Sequence, residues 1–405
     1  MADVYLHGTE VIQDTSGIRP VALNPSAVIG IVGTADSADP SVFPLDTPVL
    51  LASNPHLAAS LDTVGSGLGS LPGAIRQIYN EGGAAVVVVR VNDDPNPANV
   101  MTNIIGSAAN GTGMNALLHA RTLLGVAPKT LIAPGYTSQR PGNLANPVVG
   151  ALLPIANRLR GRIYGDMPPL LADAQAWRAD WGNRRVIGFY PSCEVWSPQA
   201  NAYVTAPQSP SQAGLTSQVH NTLGYWWSSS NQELLGVGGV SQPIDWQMDD
   251  PNCLANILNL GKINTIVNLG SASAMGGWRR WGNATCSADP LWTFEAVGNA
   301  ADEIYEAIEQ TYLWMVDRPF SAQLCLDGAR GVNAFFAANK KQGAMIGGKC
   351  WIDPGLNSAR QLQAGILSFS FDAEFPAPME HIRFYAQRNG NYYTNEIATL
   401  TSLAA

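Results

Sequence analysis

Ala27-Val28-Ile29-Gly30-Ile31-Val32-Gly33-Thr34 is a short apolar run that follows the turn-prone Asn24-Pro25-Ser26, as expected of a buried strand. Two later runs repeat it: Thr47-Pro48-Val49-Leu50-Leu51, and residues 84–91 with four successive valines. Asn92-Asp93-Asp94-Pro95-Asn96-Pro97 then breaks the chain and is read as a lobe boundary. Between about 128 and 270, strands and helices alternate. Thr130-Leu131-Ile132-Ala133 precedes a helix near 146–160, Arg162-Ile163-Tyr164 precedes a helix over 169–181, and strands follow at 186–190 and 264–268. Such alternation predicts a mostly parallel sheet covered by helices. Residues 197–250, rich in Ser, Gln, Pro and Gly, read as a long irregular segment.

Upstream of that first strand, residues 1–25 form no helical pattern yet carry Val4, Tyr5, Leu6, Val11 and Ile12, which predicts an extended arm lying on something else. Downstream the character changes. Residues 299–317 place Ile304, Ile308 and Met315 at helical spacing, with Asp302, Glu303, Glu306 and Glu309 in the first half, where the helix dipole favours them. A second helix over 329–342 has Val332, Phe335 and Phe336 on one face, Lys340 and Lys341 in its last turn and Gly343 after it. In Leu367-Ser368-Phe369-Ser370-Phe371-Asp372-Ala373-Glu374-Phe375 every odd position is apolar and every even one polar, the pattern of a strand with one buried face. His381-Ile382-Arg383-Phe384-Tyr385-Ala386 reads as its antiparallel partner. An isolated pair of strands is marginal in water and needs a covering helix, and its open edges invite further strands. The fold class is therefore α/β and α+β, multidomain.

Only 13% of the 405 residues are charged and 46% are apolar. Ordinary soluble domains carry about 25% charge. The depletion fits a subunit that buries much of its outside against copies of itself. A net charge of −8, without any Lys/Arg run, argues against nucleic acid as a partner. The five cysteines, at 193, 253, 286, 325 and 350, are too few and too scattered for a disulfide framework or a zinc site. The N-terminus has the features of no signal peptide, and no window approaches a membrane span, so no stable membrane association is expected.

The search for chemistry ends empty. Gly343-Ala344-Met345-Ile346-Gly347-Gly348-Lys349-Cys350 has P-loop spacing, but Cys350 replaces the magnesium-binding hydroxyl and no helix can follow; its glycines read as a cap and a turn. Gly65-Ser66-Gly67-Leu68-Gly69 lacks dinucleotide-binding spacing and reads as a loop. The five histidines share no metal-ligand spacing. Asp166 sits where α/β enzymes place catalytic groups, but an Asp turn before Pro168-Pro169 is the better reading. The eleven tryptophans read as core and interface anchors. No catalytic residue, cofactor or metal is assigned.

Several segments, in order, resemble the tail sheath family of contractile-tailed bacteriophages and R-type bacteriocins. They are Gly8-Thr9-Glu10-Val11 leading to residues 25–35; Leu131-Ile132-Ala133-Pro134-Gly135-Tyr136; Phe189-Tyr190-Pro191; Trp226-Trp227-Ser228-Ser229-Ser230-Asn231; Gly236-Val237; Trp278-Arg279-Arg280-Trp281-Gly282-Asn283-Ala284-Thr285; and Trp314-Met315-Val316-Asp317-Arg318-Pro319. Each is moderately specific and the ordered set is strong. It covers nearly the whole chain, weakest at 95–125 and 200–222. The resemblance implies a non-enzymatic virion protein, assembled in the bacterial host cytoplasm. It would polymerise helically around a tail tube protein, meet baseplate and tail terminator proteins, and contract to drive the tube through the host envelope. It further implies an N-terminal arm (1–26), a first α/β lobe (27–98), a central outer α/β region (99–289), an inner C-terminal domain (290–390) and a C-terminal arm (391–405). Arms of neighbouring copies would complete that domain's short antiparallel sheet. Arm and receiving-sheet candidates are Val4, Tyr5, Leu6, Val11, Ile12, Leu367, Phe369, Phe371, Ile382, Phe384, Tyr392, Tyr393 and Ile397. Glu303, Glu306, Glu309, Lys340 and Lys341 are candidates to face the tube. The alternatives are a soluble, hydrolase-like α/β enzyme with a helical C-terminal appendage, and a carbohydrate-binding module that uses a coplanar tryptophan pair.

Overall fold

The computed structural model describes residues 26–270 and 276–403. Val4, Tyr5, Leu6, Val11 and Ile12 lie outside the described residues, and with them the expectation for the N-terminal arm. The opening run forms β1 (Ile29–Gly33), buried throughout. β2 (Pro48–Ala52) leads through the short α1 (Pro55–Ala59) to α2 (Leu71–Asn80) and β3 (Ala85–Arg90). The break at 92–97 is a helix start: the Asn96 side chain accepts from Ala98 N–H and Pro97 opens α3 (Pro97–Ile105). α4 (Ala120–Leu124), β4 (Thr130–Ile132), α5 (Pro147–Leu159), β5 (Arg162–Asp166), α6 (Leu171–Ala179) and β6 (Val186–Phe189) follow.

These strands make one six-stranded sheet of order β2-β3-β1-β4-β5-β6, parallel except for the edge strand β2. Alternate residues of β1 separate its faces. Val28 and Val32 pack with α3, α5 and α6, whereas Ile29 and Ile31 pack with α2 and Ala213. At the β1/β4 switch point, where open α/β sheets bind ligands, the chain fills its own crevice. A Cβ on Gly33 would lie 2.2 Å from Ser70 Oγ, and one on Gly69 (φ +87) 2.5 Å from the Thr34 carbonyl.

Residues 197–250 are more ordered than their composition predicts. β7 (Cys193–Ser197), β8 (Ala202–Ala206) and β9 (Val237–Val240) form an antiparallel sheet of order β8-β7-β9, and the 14-residue α7 (Ser209–Thr222) lies between β8 and β9 in sequence. α7 escapes periodicity because it is buried on nearly all sides and its buried residues are largely polar. Tyr164 OH and Thr216 Oγ1 bond at 2.8 Å, Ser217 Oγ donates to Ala27 O at 2.8 Å, and Ser26 Oγ meets His220 Nδ1 at 3.0 Å. Burial, then the charge of Arg162, pushes the His220 imidazole down to about 3 and keeps it neutral. After α8 (Leu254–Leu260), β10 (Thr265–Asn268) pairs antiparallel with β11 (Trp278–Trp281). It does not extend the parallel sheet, although Asn264, the residue before it, makes a parallel bridge to Phe189.

The C-terminal part contains α9 (Glu295–Thr311), α10 (Ala322–Gln342), β12 (Gly347–Trp351), α11 (Ala359–Gln363), β13 (Ser370–Glu374) and α12 (Asn391–Leu403). Three expectations are corrected here. α9 starts four residues early and ends at Thr311, so Asp302 and Glu303 fall at its middle and Glu306 and Glu309 in its C-terminal half, where the dipole does not favour them, while Glu295 opens it. β13 pairs with β12, Cys350 opposite Phe371, and residues 381–386 form no strand. Gly343 does close α10 in the left-handed conformation (φ +86), but Gly347 and Gly348 belong to β12 and not to a turn. The glycines suit that strand: a Cβ on Gly348 would lie 2.9 Å from Met345 Cε and 3.0 Å from Phe336.

Candidate assembly interface

The carboxylates of α9 are answered from outside the helix. Glu295, Asn299, Asp302, Glu306 and Glu309 follow a four-three-four-three spacing and so share one face. That face meets cations at or beside the N-terminal ends of β4, β5 and β6, together with Arg121 of α4 and Arg280 of β11. Arg280 pairs with Glu295, which also takes Arg162 Nε at 3.2 Å. Arg162 Nη1 donates to Asn299 Oδ1 at 2.6 Å. Asp302 accepts from Arg184 and Arg185, each at 2.8 Å. Glu306 binds Lys129 and Arg121, and Glu309 binds Arg160. Burial opposes ionisation of Glu295, but the guanidiniums of Arg280 and Arg162 outweigh it and hold the carboxyl below its usual range. The opposite face of α9 is apolar: Val297, Ala300, Ala301, Ile304 and Ala307 pack with Val332, Phe335 and Phe336 of α10. One helix thus joins the parallel-sheet body to the C-terminal strands.

Glu303 and Glu306 are therefore buried in the chain itself, 3% and 5% exposed, and this corrects their reading as a partner-facing surface. Glu309, Lys340 and Lys341 remain exposed.

The receiving-sheet candidates divide by burial. Phe369 packs with Tyr312, and Phe371 with Tyr305 and Phe336 at 5.7 Å, so the odd positions of 367–375 do face α9 and α10. Leu367 is half-buried beside them. The sheet's two margins differ. Asn333 of α10 donates to Cys350 O at 2.9 Å and accepts from Cys350 N–H at 2.8 Å, so β12 is clasped along its outer margin. Among the described residues no strand pairs with the outer margin of β13. Nothing in the sequence pattern marks Asn333 for this task, because Asn in a helix looks like any polar surface residue. Beyond Phe375 the chain leaves its own fold. Ile382, Phe384, Tyr392, Tyr393 and Ile397 are all exposed, Phe384 by 90%, and α12 buries no residue.

The carboxyl ends of the parallel strands hold structural contacts. Asp166 ends β5 as a buried carboxylate that accepts from Ser209 N–H at 2.8 Å and Ser209 Oγ at 2.6 Å, which anchors the start of α7. This replaces the simple Asp turn expected there. Trp177 and Trp181 are core, and the exposed Trp196 meets Tyr203 edge-on at 76°, which is not a coplanar platform. Among the described residues, no helix is long and apolar enough to cross a membrane and no cluster of His, Cys, Asp or Glu could hold a metal.

This architecture is that of contractile sheath subunits. It matches the anti-feeding prophage helical sheath in its contracted state with a TM-score of 0.71 over 95% of this chain and 100% of that one, at 18% identity. It matches the contracted PVC sheath of an extracellular contractile injection system at 0.69, over 96% and 100%, at 15% identity. In sequence, a prophage major tail sheath protein of Pseudomonas aeruginosa (strain UCBPP-PA14) is 32% identical over 399 residues, 96% of this chain and 98% of that protein. The tail sheath protein of Escherichia phage P2 is 28% identical over 409 residues, 98% and 99% of the two chains. No family model matches. The chain belongs to the tail sheath protein family.

Proposed function

We propose that this chain is the structural, non-enzymatic subunit of a contractile tail sheath in a virion, polymerising helically around a tail tube and contracting to drive the tube through a host envelope. The observation that carries the reading is the pairing of one uncovered sheet margin, on β13, with an exposed apolar segment, residues 376–403, that finds no place on its own subunit. A segment from a neighbouring copy laid along β13 would satisfy its backbone groups and bury Phe371 further. The candidates for this role are Ile382, Phe384, Tyr392, Tyr393 and Ile397 from the C-terminal side and Val4, Tyr5, Leu6, Val11 and Ile12 from the N-terminal side. Exposed Glu309, Lys340 and Lys341 are the charged groups left to face a tube. Baseplate and terminator proteins would meet the ends of the polymer. Assembly in the host cytoplasm agrees with five buried, unpaired cysteines. In this reading contraction draws on contacts formed between subunits, without nucleotide hydrolysis.

Negative-stain electron microscopy of the full chain, beside a variant lacking residues 387–405, tests it. Hollow tubes from the full chain and discrete particles from the truncation are expected. Tubes of equal length from both would remove the C-terminal segment from the lattice.

A further inference from the structure

The joint between α9 and the sheet contains one carboxylate more than its cations serve. Glu303 is buried in the same layer as Asp302 and Glu306, and its Oε2 has no hydrogen-bond partner. The charged and titratable groups around it are Lys129 from the start of β4, Arg162 from β5, Tyr225 from the segment packed on α9, and Asp302 and Glu306 on its own helix. Each is bound elsewhere and none donates to Glu303 Oε2, although Arg162 Nη2 is also left without a partner. Lys129 Nζ is held by Glu306 and by Leu159 O, Arg162 by Glu295 and Asn299, and Tyr225 OH donates to Asn339 Oδ1 at 2.8 Å. The pull of Lys129 and Arg162 on a Glu303 charge is opposed by the push of Glu306 and Asp302, which leaves the cost of burial uncompensated.

We propose that Glu303 is the proton-binding residue of this joint: it stands as a neutral carboxylic acid when α9 is seated on the sheet, and losing that proton loosens the helix from the strand ends. Burial pushes its carboxyl from an ordinary 4.5 up to about 8. The folded chain therefore holds a proton that the unfolded chain releases. Stability from this group is fully present below about pH 4.5, declines as pH rises, and is lost once pH passes about 8. The C-terminal strands and α12 reach the body largely through α9, so the seating of the whole assembly region is tied to this proton. The inference concerns the folded chain alone and stands whether or not the chain forms tubes.

Chemical denaturation of the full chain from pH 6 to 10, beside Glu303→Gln, tests it. Gln keeps the shape and cannot ionise. Glu81, which burial pushes up to about 7, titrates in both proteins and cancels in the comparison. The wild-type chain is expected to lose stability relative to Glu303→Gln with a slope of about one proton between pH 6 and 7, flattening through pH 8 to none by about pH 9. Parallel profiles would overturn the proposal. If Glu303→Gln does not fold, infrared difference spectra of the Glu81→Gln chain, which lacks the other carboxyl titrating in this range, decide. A protonated-carboxyl band present at pH 7 and gone by pH 9 supports the proposal, and its absence at pH 7 overturns it.

Discussion

Arg280 is fully buried, and its guanidinium is shared among Glu295, Thr216, Ser229 and the Gly282 carbonyl. Such a group tolerates no loss of its anion. Glu295→Gln leaves Arg280 and Arg162 buried without a countercharge, and is expected to cost about 3–5 kcal/mol. Glu309→Gln removes an exposed pairing from the same helix face and is expected to cost about 0–1 kcal/mol. Urea denaturation of the two variants measures the contrast, and equal losses would mean that the buried pair carries no special weight. The sequence shows these residues only as isolated charges. Arg279-Arg280 is legible as a dense basic pair, but the partner of Arg280 lies 15 residues on, at the start of α9, and burial alone separates Glu295 from Glu309.

At the scale of the element, legibility followed periodicity. β1, β3, β5, α5 and α10 announced themselves through apolar runs, caps and turn residues, and the alternation over 367–375 correctly oriented Phe369, Phe371 and Phe375. α7 did not, because a helix buried by hydroxyls and amides carries no apolar stripe. The partner of β13 was misassigned for a related reason. Residues 381–386 look like a strand, whereas Gly347-Gly348-Lys349-Cys350-Trp351 looks like a turn until Phe336 and Met345 are seen to demand glycine there. Asn333, between α10 and β12, is the element-scale device most open to test. Asn333→Ala removes both bonds to Cys350, and is expected to cost about 1–2 kcal/mol. It also frees a second strand margin, so light scattering should show faster irregular aggregation than in the wild-type chain. Unchanged scattering would show that the clasp does not guard the edge.

For the whole molecule, stability and assembly should separate. Residues 376–403 contribute almost no burial, so removing 387–405 is expected to shift the melting temperature by less than about 2 °C in calorimetry while tube formation is lost. A large drop would place the segment back on its own subunit. The bulk composition carried part of this in advance: 13% charge in a chain of this size points to surfaces reserved for other copies. It could not say which surfaces, because an exposed Phe384 and a buried Phe336 are the same letter until the fold is known.

The clasp of Asn333 on Cys350 has an arithmetical consequence. A sheet guarded on one margin is a socket of valence one. If a neighbour's segment is received along β13, each subunit takes it on one side only, so a chain of such unions has a head and a tail. Growth that begins from a fixed end would then keep its polarity to the last subunit without any further instruction.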